Sequence, residues 1–255
     1  MTFIDSHAHI ILEDFDKDRD KVIQDAFSND ITHIIQSCDN LEEIEKNLIL
    51  TKKHKNLYSS VGIHPHEAKN WNDTSKTIII KYTKEEKVIA IGETGLDFYY
   101  DYSPREIQIA VFKEQTKIAK EVSLPLIIHC RDGFREAIEI LKEEKPASGG
   151  VFHCFTGDLQ SAKEAINLGF YISWSGILTF KNANTLKEVA KEISLKNTLI
   201  ETDCPFLTPI PYRGKRNEPQ YVKYVAEELA KIHNVSVEEI GVVTSENTKM
   251  LFGIK

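Results

Sequence analysis

The 255-residue chain contains no run of about eighteen apolar residues, and its start lacks a basic segment leading into an apolar core. A membrane-spanning helix and an export signal are therefore both unexpected, and the cytoplasm is the expected compartment. Cysteine is scarce: Cys38, Cys130, Cys154 and Cys204 lie far apart and form no C-x-x-C pair, which argues against a zinc ribbon and against a disulfide-stapled secreted domain. Reduced, buried thiols are expected. Positive charge is also in deficit, with 32 basic against 39 acidic residues and a net charge of −7. No whole-molecule field would draw in a polyanion, so any nucleic-acid contact must be local. Fixed-period repeats, low-complexity tracts and long Gly/Ser linkers are absent as well, and a single domain over residues 1–255 is expected.

What is present is an alternation. Eight short segments rich in β-branched residues recur along the chain: Phe3–His9, Thr32–Cys38, Leu57–His64, Val88–Glu93, Pro125–His129, Gly150–Phe155, Tyr171–Gly176 and Thr198–Asp203. Each reads as a buried parallel strand. Between them, Phe134, Ala137, Ile138 and Leu141, and then Leu186, Val189, Ala190 and Ile193, follow the i, i+3, i+4, i+7 spacing of a helix with one apolar face. Asp158 and Gly169 bracket one helical run, and Ser236 with Glu239 forms a capping-box pattern before the last. Eight such units and about 250 residues fit a closed (β/α)₈ TIM barrel better than a doubly wound open sheet, which usually has fewer strands and one switch-point site.

Polar residues fall at one place in this pattern. His7, His9, Glu93, His129, His153 and Asp203 all stand at the C-terminal ends of the expected strands, the face on which barrels carry their sites. Strict alternation puts Asp5, His7 and His9 on one side with Phe3 behind them, Ile89 and Ile91 behind Glu93, and Leu199 and Glu201 behind Asp203. It turns Cys130, Cys154 and Cys204 outward as small buried hydrophobes. An isolated H-x-H is weak, but six ionisable groups at one end of five strands would each bring a desolvation cost that a metal offsets. Four imidazoles and two carboxylates suit a divalent cation such as zinc or manganese without choosing among zinc, magnesium and manganese. Two cations about 3.5–4 Å apart need a bridging group, and Glu93 is expected to supply it.

These motifs resemble the TatD family of metal-dependent deoxyribonucleases, barrels of the amidohydrolase superfamily, along nearly the whole chain. The matching strings are Phe3-Ile4-Asp5-Ser6-His7-Ala8-His9, Gly62-Ile63-His64-Pro65-His66, Gly92-Glu93-Thr94-Gly95-Leu96-Asp97, His153-Cys154-Phe155-Thr156-Gly157, Glu201-Thr202-Asp203 with Pro205, and Arg213-Gly214-Lys215-Arg216-Asn217-Glu218-Pro219. The resemblance implies the same six ligands. Cys204, where members often have alanine, and Cys130 and Asp132 around Arg131 are departures that remove no ligand.

The implied activity is phosphodiester hydrolysis in DNA, as an exonuclease on single strands or frayed ends, with two divalent cations per subunit. Glu93 and Asp203 are the expected catalytic carboxylates, Asp203 accepting the proton. Asp5 and Glu201 are expected behind the ligands, fixing imidazole tautomers. His64 and Arg131 are expected to hold the scissile phosphate, and Arg213 and Arg216, with Lys215, to track the backbone from a stiff proline-rich loop spanning Pro205 to Pro219. Phe98, Tyr99, Tyr100 and Tyr102 follow Glu93 and offer rings on which bases could stack, or which could serve only as core and rim packing. Barrels of this kind also cleave esters and amides, so deacylation of a D-aminoacyl-tRNA or opening of a small cyclic amide is the competing enzymatic reading, and a non-catalytic metal-bound scaffold the non-enzymatic one. A monomer is expected.

Overall fold

In the computed structural model, which describes residues 2–255, the β-branched segments form eight strands: β1 (Phe3–Ala8), β2 (Ile31–Gln36), β3 (Leu57–Val61), β4 (Val88–Asp97), β5 (Leu126–Arg131), β6 (Gly150–Phe152), β7 (Phe170–Trp174) and β8 (Thr198–Ile200). They pair in parallel in sequence order. A parallel bridge between Ala8 and Cys204 brings the last strand to the first. His9 N–H donates to the Cys204 carbonyl at 2.8 Å and Asp203 N–H to the His7 carbonyl at 3.0 Å, so the closure lies at the C-terminal mouth.

The intervening helices are α1 (Arg19–Ser28), α2 (Leu41–Lys53), α3 (Asp73–Tyr82), α4 (Arg105–Val122), α5 (Phe134–Glu144), α6 (Leu159–Asn167), α7 (Asn184–Glu192), α8 (Val222–His233) and α9 (Val237–Phe252). Their start and stop signals act locally. Asp158 accepts from the Ser161 N–H to cap α6, Ser236 accepts from the Glu239 N–H to cap α9, and Gly169 takes a positive φ just beyond α6. The apolar stripe of α5, with Ala137, Ile138 and Leu141, is buried as its spacing predicts. None of the helices among the described residues is long and apolar enough to cross a membrane.

Two apolar layers result. The larger lies between sheet and helices; the smaller joins Ile35, Ile89, Ile127, Val151 and Leu199 from five strands and is closed off by Phe252 and Ile254. This second cluster fills the barrel interior beneath the site. Ile91 belongs to the outer layer and Ile89 to the inner one, so the expected row of Ile89, Ile91 and Glu93 on one face does not exist.

The reason is irregular register. β1 has one extra residue between the pairs Asp5–Ile34 and Ala8–Gln36, and β4 has two, one between Val88–Ser59 and Ala90–Ser60, which parts Ile89 from Ile91, and one between Ile91–Leu126 and Thr94–Ile128. A bulge of this kind reverses the facing of everything beyond it and re-aims a side chain. Phe3 accordingly rests against Gly241 of α9 rather than beneath the histidines.

Just past the second bulge of β4, Gly95 has φ +133°, and a Cβ built there would lie 2.0 Å from the His129 carbonyl oxygen. Gly95→Ala is expected to cost about 3 kcal/mol or more through strain and overlap. Thermal unfolding should move down by roughly 6–12 °C for a chain of this size; an unchanged midpoint would show that β4 and β5 can separate without penalty.

Candidate metal centre

Glu93 occupies the middle of the mouth. Close backbone approach puts it there: a Cβ on Gly92 would meet Ile127 at 2.8 Å, and one on Gly62 would meet the Gly92 backbone at 2.7 Å. Only glycines let β3, β4 and β5 converge at this height. Around the carboxylate stand five imidazoles. Oε2 lies 3.0 Å from His7 Nε2 and 3.4 Å from His9 Nε2, while Oε1 lies 2.8 Å from His153 Nε2, 3.1 Å from His129 Nδ1 and 3.3 Å from His64 Nε2. Asp203 Oδ1 is 3.4 Å from His9 Nε2 and 3.7 Å from His7 Nε2. All six residues expected as ligands converge, and His64 joins them.

Whether these donors fit cations can be judged from their spacing and their backing. Ligand atoms held about 2.0–2.2 Å from a shared ion are roughly 3–3.5 Å apart. The groups His7–His9–Glu93, His7–His153–Asp203 and His64–Glu93–His129 each keep their donor atoms within 4.8 Å of one another. His7 Nε2 and His9 Nε2 approach to 2.9 Å, and Glu93 Oε2 is buried without a hydrogen-bond partner, an arrangement that a cation between them would satisfy.

Behind the imidazoles stand carboxylates. Glu201 Oε1 lies 3.3 Å from His153 Nδ1, Asp97 Oδ2 accepts from His129 Nε2 at 3.1 Å, and Asp39 Oδ1 lies 3.5 Å from His9 Nδ1. A carboxylate behind an imidazole fixes the proton on the far nitrogen and turns the lone pair toward the ion. His64 has the opposite backing, since its Nδ1 accepts from the His66 backbone N–H at 3.1 Å. Its Nε2 therefore carries the proton and faces the pocket as a donor.

Electrostatics agree with a cation site. Burial would raise Glu93, but His153, His7, His64 and His129 outweigh it and hold the carboxyl well below its usual range. Burial is likewise overcome at Asp203, lowered by His9, His153 and His7, and at His153, raised well above its usual value by Glu93 and Glu201. Protons on His9, His129 and His153 balance the buried carboxylates, and a divalent cation would displace them. For His64 burial dominates, with His129 adding to it, and the ring is held neutral.

Glu201 takes the place expected of it, also accepting from the Cys154 N–H at 2.6 Å. Asp5 does not. The bulge in β1 turns it away from the imidazoles, and its carboxylate accepts from the Thr202 N–H at 2.8 Å and hydroxyl at 2.6 Å; burial pushes it up to about 8 against those bonds. Its role is to tie the first strand to the segment after the eighth.

Arg216 is also committed elsewhere: its guanidinium donates to both oxygens of Asp18 at 2.8 Å, to Glu218 at 3.0 Å and to the Asp14 carbonyl. It fastens the loop after β8 to the loop after β1 and is not free to track a phosphate backbone. Arg213 is exposed and lies over the Phe180 ring at 4.1 Å. Arg131 lies over Tyr99 at 3.8 Å and Tyr100 at 4.9 Å. Phe98 is buried, whereas Tyr99, Tyr100 and Tyr102 are exposed. Cys38, Cys130 and Cys204 are buried in the outer layer as expected; Cys154 is partly exposed, its Sγ 3.1 Å from Ser175 Oγ.

Asp39, Asp97 and His66 are the functional neighbours that the sequence pattern does not single out. Asp97 stands four residues beyond Glu93 on the same extended strand and Asp39 just past the end of the second one, so an acidic residue at the catalytic end of a strand was the available signal. Asp97→Ala is expected to weaken cation binding by about 10–100-fold through loss of His129 orientation. Calorimetric titration of chelated protein with Mn²⁺ checks this, and wild-type affinity in the variant would deny Asp97 that function.

An eight-stranded barrel with an imidazole–carboxylate cluster at its C-terminal mouth defines a metal-dependent hydrolase. The profile described as TatD related DNase matches residues 4–253, and the chain belongs to the TatD family. It is 45% identical over 251 residues to the uncharacterized metal-dependent hydrolase YabD of Bacillus subtilis, covering 98% of each chain. It is 33% identical over 249 residues to the 3'-5' ssDNA/RNA exonuclease TatD of Escherichia fergusonii, covering 94% of this chain and 95% of that one. The crystal structure of YJJV, a TatD homolog from Escherichia coli, superposes with a TM-score of 0.94 at 30% identity, over 99% of this chain and 98% of that one.

Proposed function

We propose that this chain is a nuclease that hydrolyses phosphodiester bonds in DNA from the end of a single strand or a frayed duplex. The observation that carries the reading is Glu93, whose two oxygens face two different sets of imidazoles within one buried pocket. On this reading His7, His9 and Asp203 with Glu93 would hold one divalent cation, and His129 and His153 with Glu93 would hold the other. When bound, such a pair activates water and neutralises the charge on phosphoryl oxygens.

The chain's own residues do the rest. Asp203 is kept anionic by the surrounding imidazoles and can accept the proton of the attacking water. His64, neutral and presenting Nε2–H, can donate to a non-bridging phosphate oxygen, where neutrality avoids competition with the cations for position. Arg131 brings a fixed positive charge to the rim beside the tyrosines and suits a neighbouring phosphate. The name of the Escherichia fergusonii relative supports a single-stranded nucleic-acid substrate.

The test is incubation of protein loaded with Mn²⁺ or Mg²⁺ with end-labelled single- and double-stranded DNA and RNA, followed by fragment length over time. Stepwise shortening of single-stranded DNA is expected. Intact strands with every cation, alongside turnover of an aminoacyl ester or a cyclic amide, would replace the nuclease reading with the ester or amide one.

A further inference from the structure

We infer that Tyr99, Tyr100 and Tyr102, with Arg131 and His66, form a preorganised stacking site for an unpaired nucleobase next to the scissile phosphate; the inference rests on the nuclease reading and specifies how that site takes a single strand. The three tyrosines are 46–58% exposed, yet the segment that carries them is firmly held. Asp97 Oδ1 accepts from the Tyr99 and Tyr100 backbone N–H groups at 3.0 and 2.9 Å. Arg105 donates to the Phe98 carbonyl and the Asp101 carboxylate, and Gln108 to the Ser103 carbonyl. Lys69 Nζ donates to the Tyr102 carbonyl, and the Ser103 hydroxyl to that of His66. Ordered loop backbone bearing three exposed rings leaves apolar surface in water that packing alone would have covered.

The rings form a short stack that a base could extend. Tyr100 and Tyr102 are nearly parallel, 14° apart with centroids at 5.2 Å, and both meet the edge or face of His66, at 5.6 and 4.7 Å. Arg131 lies over the Tyr99 and Tyr100 rings, which puts a cation beside the stacked rings. The stack is mechanically continuous with the cation pocket, because Asp97 Oδ2 accepts from both His66 and His129 while its other oxygen caps the tyrosine loop. One carboxylate thus fixes the distance between a ligand imidazole and the stacking rings. A base with a π-face and an anionic phosphate on one side matches that combination, and stacking tolerates any base.

The double variant Tyr100→Ala/Tyr102→Ala is compared with wild type on a single-stranded thymidine oligonucleotide and on the same strand with abasic terminal residues. The variant should lose about tenfold or more in kcat/KM on the thymidine strand, and wild type should lose a similar factor on going to the abasic one. Variant and wild type should then cleave the abasic strand at equal rates, and Tyr100→Phe/Tyr102→Phe, which keeps the rings, should stay within about twofold of wild type. Wild-type rates for the alanine variant on thymidine, or an equal loss on the abasic strand, would overturn the stacking site. If no strand is cleaved by any protein, the nuclease reading fails, and fluorescence anisotropy of the labelled thymidine oligonucleotide decides the stacking site separately. Weaker binding by the alanine variant alone supports it, and equal binding or none removes it.

Discussion

Glu93→Gln should lower hydrolysis by at least about 10³-fold and reduce the cation content of the purified protein, although the side chain keeps its shape. Gln offers one acceptor oxygen and no charge, so it can neither face both sets of imidazoles nor offset two dications. The same substitution reveals what the carboxylate does without metal. Burial depresses the protonation of His9 and His153, and carboxylates including Glu93 overcome that and raise both well above the usual imidazole range. A histidine with a raised folded-state pKa contributes stability that is complete below about pH 6.5 and fades as pH rises through the higher value. Glu93 itself is held below its usual range and contributes in full only above about pH 4.5, so chelated Glu93→Gln should be destabilised most between about pH 4.5 and 6.5, by about 3–5 kcal/mol at pH 6, with the deficit shrinking toward alkaline pH and again in stronger acid. Denaturant unfolding at several pH values and elemental analysis of the metal content measure both effects. A variant with full cation content and wild-type turnover would show that Glu93 bridges nothing.

Removal of cations is the second large effect. Dialysis against a chelator should abolish hydrolysis, and Mn²⁺ or Mg²⁺ should restore it. The loaded protein should also unfold at a higher temperature, because a ligand at about 100 times its dissociation constant adds about 2.7 kcal/mol, or roughly 5–10 °C for a chain of this length. The melting shift separates the site from the reaction. If the added cation raises the midpoint but no substrate is cleaved, the pocket binds metal and the nuclease reading is at fault. If neither changes, the cluster is not a cation site.

The strand count and the identity of the converging residues were legible because parallel strands buried on both faces read as short β-branched runs, and because histidines and acids at the ends of such runs have little other physical reason to gather. Strand ends were less legible. β6 and β8 stop at Phe152 and Ile200, short of His153 and Asp203, since the chain leaves the ladder there; Cys154 and Asp203 take positive φ. β4 instead runs past Glu93 to Asp97, paired with β5 as far as Arg131.

The misplacement of Asp5 and Ile91 has one cause, for a bulge leaves no trace in a hydrophobic pattern that is apolar on both sides. Arg216 was misread for a different reason: a basic residue on a loop looks the same in sequence whether it is free or, as here, forked onto Asp18 from a distant part of the chain.

The two irregular strands have a consequence for how this barrel can change. Below each extra residue the sheet follows one alternation and above it the other, so the donors are set out of step with the scaffold that carries them. Exchanging a side chain near the mouth leaves that offset intact. Deleting or inserting a single residue in β1 or β4 would cancel it and swing His7 or Glu93 toward the helices, which makes chain length in these two strands a stricter constraint than composition.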